Sequence, residues 1–204
     1  MARGRPPRGR RSPGRLARQH APGRRRRSTV GVLPVDGGRP GGGGSPRRDR
    51  PGAGVRGRWS SVDRAVAGRA RASDDVGCGS GVLSVSAALL GAASVTAVDV
   101  DKGAIVSTRA NAARNGVGAT VVASTTPAAE LTGTFDVIVA NIGAATLIEL
   151  APALQPRLAP RGWLGLSGLS PAQVSVVAAA YRPTRVIATP TRDDWAAVVV
   201  TPDG

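Results

Sequence analysis

The chain is poor in the residues that most often do chemistry. Its 204 residues include one cysteine, one histidine and five aromatics: three Trp, one Tyr and one Phe. A single cysteine, Cys78, excludes an intrachain disulfide, as expected of a protein kept in a reducing cytoplasm. It also lacks a second Cys or His to share a metal, and a partner base to activate it as a nucleophile. The one histidine, His20, lies in a segment unlike the rest of the chain, so the remainder has no histidine base and no histidine metal site. No apolar run approaches the roughly 18 residues of a membrane span. No apolar stretch follows the charged N-terminus, and residues 30–35 are too short to act as one, so no secretory signal is read. The Arg-rich start has the charge of an organelle transit peptide, but its Gly and Pro content opposes the amphipathic helix such a peptide needs.

Acidic residues are missing from one part of the chain only. The net charge of +15 resolves into residues 1–72, with 20 basic and 3 acidic residues, and residues 73–204, with 8 and 10. The first segment also holds 15 Gly and 8 Pro, with runs such as Arg24-Arg25-Arg26-Arg27 and Gly41-Gly42-Gly43-Gly44. It cannot bury enough apolar surface to offset its chain entropy and reads as a disordered basic segment. Three readings of it stay open: a solvated tail, an arm making non-specific contacts with nucleic acid, or out-of-frame translation of a GC-rich gene. Trp59 is its only aromatic, which leaves little for base stacking. The junction favours the third reading, because residues 70–74, Ala-Arg-Ala-Ser-Asp, make a poor buried strand ahead of a very good loop.

From Asp75 onward, apolar strands alternate with helical stretches, the pattern of an open parallel α/β sheet over residues 73–204. Strands are expected at 94–99, 120–123, 135–140, 163–167, 185–189 and 195–201, with a short first strand at Asp75, about seven in all. The last pair is joined by a short turn and should form an antiparallel hairpin. Helices are expected at 80–90, with Leu83, Ala87 and Leu90 on one face, and at 102–115, 144–158 and 171–181. Trp163 and Trp195 read as core, and Asp193-Asp194 as a solvated turn.

Three places in this pattern carry chemistry. Asp75-Val76-Gly77-Cys78-Gly79-Ser80-Gly81 is a glycine-rich turn between a strand and a helix. Glycines let backbone pass close to a ligand, and the helix start offers free N–H groups. Val82 and Ser84 depart from the G-x-G-x-x-G dinucleotide fingerprint. Asp99 ends the next strand, 22 residues after Gly77, where a carboxylate can accept both ribose hydroxyls of a nucleoside. Asp99 or Asp101 could equally cap the following helix. Asn141 follows the strand at 135–140, at the carboxyl edge where ligands of open α/β sheets sit. Its amide oxygen, with nearby carbonyls, can accept hydrogen bonds from an amine, or it can cap the helix at 144–158.

With these sites in place, the domain resembles the class I S-adenosylmethionine-dependent methyltransferases, with their Rossmann-like sheet, and more narrowly the PrmA-type ribosomal protein methyltransferases. The resemblance rests on Asp75-Val-Gly-Cys-Gly-Ser-Gly-Val-Leu, Ala97-Val-Asp-Val-Asp101, Ala110-Asn-Ala-Ala-Arg-Asn-Gly-Val117 and Phe135-Asp-Val-Ile-Val-Ala-Asn-Ile142. It continues more weakly through Leu158-Ala-Pro-Arg-Gly162 and Gly165-Leu-Ser-Gly-Leu169. It implies S-adenosyl-L-methionine as cofactor, bound through Asp75, Gly77, Gly79, Asp99, Ser124 (or Thr125) and Asn141. Gly77 would line the methionine part, Asp99 the ribose, Ser124 the adenine edge, and Asn141 the reactive sulfonium. The implied reaction is methyl transfer to a lysine or α-amino nitrogen of a large-subunit ribosomal protein in the cytoplasm. Asn141-Ile142-Gly143 lacks the Asn-Pro-Pro-Tyr form of glutamine and adenine N-methyltransferases. Rival readings are a small-molecule methyltransferase, an inactive methyltransferase-like fragment, and an RNA-associated protein acting through its arginines. The family's Gly-rich, Thr-Thr-containing segment ahead of the loop, and its ordered recognition domain, have no counterpart in residues 1–72. A frame error upstream of Asp75 would account for both.

Overall fold

The computed structural model describes residues 70–204. The basic segment expected to be disordered, and the nucleic-acid contacts considered for it, lie outside the described residues apart from its last three. Eight strands form one sheet: β1 (Ala72–Val76), β2 (Ser94–Val98), β3 (Val121–Ser124), β4 (Phe135–Asn141), β5 (Leu158–Leu169), β6 (Arg185–Ala188), β7 (Thr191–Arg192) and β8 (Trp195–Thr201). Their order is β3-β2-β1-β4-β5-β8-β6, with β7 also paired to β8. The first five strands run parallel and β8 is antiparallel to β5, β6 and β7. The seven expected strands are all present. The eighth is a two-residue strand in the turn that was expected to join the last pair.

Helices α1 (Val82–Leu89) and α2 (Lys102–Arg114) pack with β2 and β3 residues in one cluster around Val85, Val95, Ala97, Ile105 and Val121. Helices α3 (Ala144–Leu154) and α4 (Val174–Ala180) contribute Leu147, Leu154 and Val177 to a larger one with Val76, Ile138, Leu166 and Val198. In β2, for example, Val95 and Ala97 enter the first cluster and Val98 the second, as a sheet covered on both faces requires. Tyr181 closes α4 by donating its buried hydroxyl to the Leu147 carbonyl at 2.7 Å, tying α4 to α3. Among the described residues no helix is long and apolar enough to cross a membrane.

Several boundaries differ from expectation for identifiable reasons. Helix α3 stops at Leu154 because Pro156 has no N–H to continue the ladder, and the chain tightens to a 3-10 turn at Gln155–Arg157. Strand β5 begins at Leu158, five residues before the expected 163. Pro160 and Gly162, read as helix stops, sit in an irregular strand start, where the β4 register shifts between Phe135 and Val137. The buried face of α1 is Ser84 and Val85 rather than the Leu83 stripe. Trp163 is buried as expected, but Trp195 is 64% exposed at the open end of β8.

The largest correction concerns β1. The polar residues 70–74 read as a poor strand, yet Ala72–Val76 is central, paired with both β2 and β4. Its start is fastened by Asp136, whose carboxylate accepts the backbone N–H groups of Arg71 at 2.7 Å and Ala72 at 3.1 Å. Two further carboxyls are buried in the strand, and they differ. Asp75 accepts from the Ser84 backbone N–H at 2.9 Å and from the Ser84 hydroxyl. Asp74 is fully buried and neither of its oxygens has a hydrogen-bond partner. Burial, with the charge of Asp75, pushes the Asp74 carboxyl up to about 7, and the Asp75 backbone N–H, near it but short of hydrogen-bond geometry, and the Arg157 guanidinium offset only part of this. Burial also lifts Asp75 to about 6, opposed by its bonds from Ser84.

Both carboxyls hold protons in the folded chain at pH values where the unfolded chain has lost them. Stability conferred by those protons is complete below about pH 4 and is lost as pH rises toward 7. Ionising Asp74 in place costs on the order of 4 kcal/mol. The urea midpoint should therefore be higher at pH 5 than at pH 8. Asp74→Val should raise the pH 8 midpoint and flatten the profile. Equal midpoints for the parent chain at the two pH values would show that both carboxyls are solvated.

Candidate functional site

The in-register parallel pairing of the central strands ends them at one level. Val76 lies opposite Val98 on one side and Ala140 on the other, and Val98 lies opposite Ser124. The residues that follow, Gly77 and Asp99, therefore meet Asn141, the last residue of β4, and Ser124 at a single rim. After β1 the chain folds over β2, with the Gly77 and Cys78 N–H groups both donating to the Val98 carbonyl at 2.8 and 3.0 Å. Gly77 has φ +73°, and a Cβ built on it would stand 2.4 Å from Ile142 Cγ2. No other residue allows the loop to lie this close to the β4–α3 connection.

Asp99 closes the other side of the loop. One carboxylate oxygen accepts the Gly79 N–H at 2.9 Å and the other the Asp101 N–H at 3.0 Å. The group is half-buried, and each oxygen retains a lone pair for another donor. The capping alternative belongs to Asp101, which accepts from the Gly103 N–H at the start of α2. The same alternative fails for Asn141. Helix α3 begins after Gly143 with no side-chain cap, leaving the Asn141 amide exposed at the rim.

The remaining expected residues fall as follows. Gly79 meets nothing within 4 Å where a Cβ would point, so it borders open space beside Asp99. The Ser124 carbonyl accepts from the Asp99 N–H at 3.3 Å, and its hydroxyl donates to Thr126 Oγ1 at 2.9 Å. Thr125 is exposed beside it. Asp75, expected among the ligand contacts, is instead 1% exposed and directed at α1. Its carboxylate braces the first turn of that helix beneath the loop.

Two residues that sequence reasoning did not single out hold the loop from α2. Thr108 is fully buried and donates to the Gly79 carbonyl at 3.1 Å and toward Cys78 Sγ at 3.3 Å. Asn111, 2% exposed, donates its amide to the Ser80 carbonyl at 2.8 Å. Their signal was a pair of polar residues three apart, one helical turn, on the face that also carries Ala104, Ile105 and Ala112.

Cys78 is buried, and burial lifts its thiol to about 11, with Asp75 and Asp99 adding to the rise against the Thr108 bond. The thiolate is scarce at neutral pH. Among the described residues no group of three His, Cys, Asp or Glu could hold a metal ion.

A doubly wound sheet with an antiparallel final strand, a glycine loop after β1 and a carboxylate at the end of β2 defines the class I methyltransferase fold. The family model described as ribosomal protein L11 methyltransferase (PrmA) matches residues 60–202, and the chain belongs to that family. A ribosomal protein L11 methyltransferase of Citrifermentans bemidjiense is 47% identical over 121 residues, covering 59% of this chain and 40% of that protein. The chain thus spans about two fifths of the length of the curated relatives it matches. Among solved structures, a ribosomal protein L11 methylase of Lactobacillus delbrueckii subsp. bulgaricus superposes with a TM-score of 0.64 at 27% identity, over 72% of this chain and 81% of that one. The N-methyltransferase NodS of Bradyrhizobium japonicum, at 15% identity and a TM-score of 0.57 over 70% of this chain and 92% of its own, shares the fold.

Cys78 should react with a thiol reagent at pH 8 at less than about a tenth of the rate of an unhindered cysteine, and at the full rate in urea. Fast labelling of the native chain would contradict the packing of Thr108 on the loop.

Proposed function

We propose that the domain is an S-adenosyl-L-methionine-dependent protein N-methyltransferase acting on a lysine or α-amino nitrogen of ribosomal protein L11. The observation that carries this reading is the convergence of Gly77, Asp99 and Asn141 at one rim of the sheet in a chain of the PrmA family. The residues present fit the cofactor. The Asp99 oxygens suit two ribose hydroxyls, Gly79 borders open space beside them, and Gly77 lets the loop lie against Ile142 without a Cβ between them. Ser124 and Thr125, next along the rim, suit the adenine edge.

When bound, the cofactor supplies an electrophilic methyl on a sulfonium, so the chain supplies position and electrostatics. An amine attacks only when neutral, with its lone pair aimed along the breaking bond. The Asn141 oxygen and the Ile142 carbonyl would accept the two N–H hydrogens and so turn the lone pair toward the methyl. Holding the reactants in this near-attack geometry is the main contribution expected. No histidine lies in the domain, and Cys78 is a poor base. The proton released from the amine therefore passes to water at the exposed rim. The expected setting is the cytoplasm.

Calorimetry with S-adenosyl-L-methionine tests the reading. The parent chain should bind, and Asp99→Ala should weaken binding about 30-fold or more, the loss of two charge-assisted hydrogen bonds. Asn141→Ala should lower kcat toward ribosomal protein L11 about tenfold or more while moving the cofactor Kd less than about threefold. A parent chain that takes up no cofactor would sink the proposal, and an unchanged Asp99→Ala would remove that residue's role.

A further inference from the structure

Strand β5 is irregular where it passes the rim. Pairing with β8 runs in step from Leu164↔Val200 to Ser167↔Ala197 and resumes at Leu169↔Ala196, leaving Gly168 as an extra residue. It is a β-bulge with its glycine at φ +85°. Its neighbour Ser167 pairs with Asn141 across β4, so the bulge falls at the candidate site. A Cβ built on Gly168 would stand 2.9 Å from Asn141 Oδ1 and 3.0 Å from the Ile142 carbonyl oxygen. Those are the two acceptors assigned above to the amine. The space a methyl would need is thus the space in which both oxygens sit.

We propose that Gly168 is a positioning residue for the transfer step, its bulge and missing side chain setting the Asn141 amide and the Ile142 carbonyl as a convergent acceptor pair for the amine. This rests on the methyltransferase reading. Left-handed bulge glycines turn a strand edge without occupying the volume beside it. A substituent would push the acceptors outward by a few tenths of an ångström or more, and alignment of a reacting pair is sensitive to displacements of that order. The methionine and ribose contacts, made by the Gly77 loop and Asp99, do not involve Gly168, so cofactor binding and transfer should separate.

Gly168→Ala imposes both backbone strain and the contact. Gly133→Ala is the matched control: its φ is +87° and nothing lies within 4 Å of its built Cβ. Two nucleosides read the site by calorimetry without a protein substrate. S-adenosylhomocysteine lacks the transferred group, and sinefungin carries an amine in its place. The expected result for Gly168→Ala is sinefungin binding weakened about tenfold or more, with S-adenosylhomocysteine changed less than about threefold. The kcat toward ribosomal protein L11 should fall about tenfold or more at little-changed cofactor KM. Gly133→Ala should show neither effect. Adding Gly168→Ala to Asn141→Ala should cost less than the product of the two single losses, since one of the two acceptors it displaces is already gone while the Ile142 carbonyl remains. If Gly168→Ala alone fails to fold, Asn141→Ala, which removes one of the two acceptors without backbone strain, should still weaken sinefungin more than S-adenosylhomocysteine. A Gly168→Ala chain that keeps its sinefungin affinity and kcat, an equal loss in Gly133→Ala, or an Asn141→Ala chain whose sinefungin and S-adenosylhomocysteine affinities move together overturns the assignment. Neither nucleoside binding the parent chain would remove the methyltransferase reading, and this assignment with it.

Discussion

Parallel pairing of β1 with β2 on one side and β4 on the other fixes everything at the rim. Val76 stands level with Val98 and Ala140. The loop after β1, the carboxylate after β2 and the amide at the end of β4 are therefore presented at one height without any contact between them having to enforce it. A one-residue slip of β1 would reverse which core each of its side chains enters. Asp75 would leave Ser84, and Val76 would leave the larger core. Register is thus held by burial on both faces, and the site inherits its precision.

The same strand shows how environment divides like residues. Asp74, Asp75 and Asp99 share one side-chain chemistry within the first two strands and their ends. Asp75 is buried but answered by two donors from Ser84. Asp99 is half-buried at the rim, answered by two backbone N–H groups, and keeps lone pairs turned outward. Asp74 is buried and unanswered, so it is an apolar position occupied by an acid. The first carboxyl braces a helix, the second ties the glycine turn to the end of β2, and the third, once ionised, only costs stability. An unsatisfied acid in the central strand is the sharpest conflict in the domain between local sequence and fold.

That conflict marks where the sequence was legible and where it was not. From Asp75 on, periodicity and turn residues placed all four α-helices and every strand except the two-residue β7, but not the 3-10 turn at Ala128–Glu130, and the three rim residues came from their offsets to strand ends. What failed has a physical cause in each case. Ala72–Val76 was invisible as a full strand because its apolar pattern is broken by Ser73, Asp74 and Asp75, and only pairing with two neighbours reveals it. The early start of β5 was hidden by Pro160 and Gly162, which a strand tolerates where its ladder is already irregular. Trp195 looked like core because aromatic residues in strands usually are, but it lies at the free end of β8. Asp75 looked like a ligand contact because it adjoins the loop, and alternation of side chains along the strand sends it to α1 instead.

Rigidity at the loop comes from α2 rather than from the loop itself. Three left-handed glycines, Gly77, Gly79 and Gly81, give that turn more freedom in the unfolded chain than any ordinary segment. Thr108 and Asn111 oppose that freedom with hydrogen bonds to the Gly79 and Ser80 carbonyls, from a helix whose own start is capped by Asp101 two residues beyond Asp99. The helix that follows Asp99 therefore also clamps the glycine turn. Any shift of α2 reaches the glycine turn through Thr108 and the end of β2 through Asp101. The Asn141 side belongs to a different layer, β4, β5 and the Gly168 bulge. The two sides of the rim thus belong to different layers of one sheet, joined through β1 and through the contact of the Gly77 turn with Ile142.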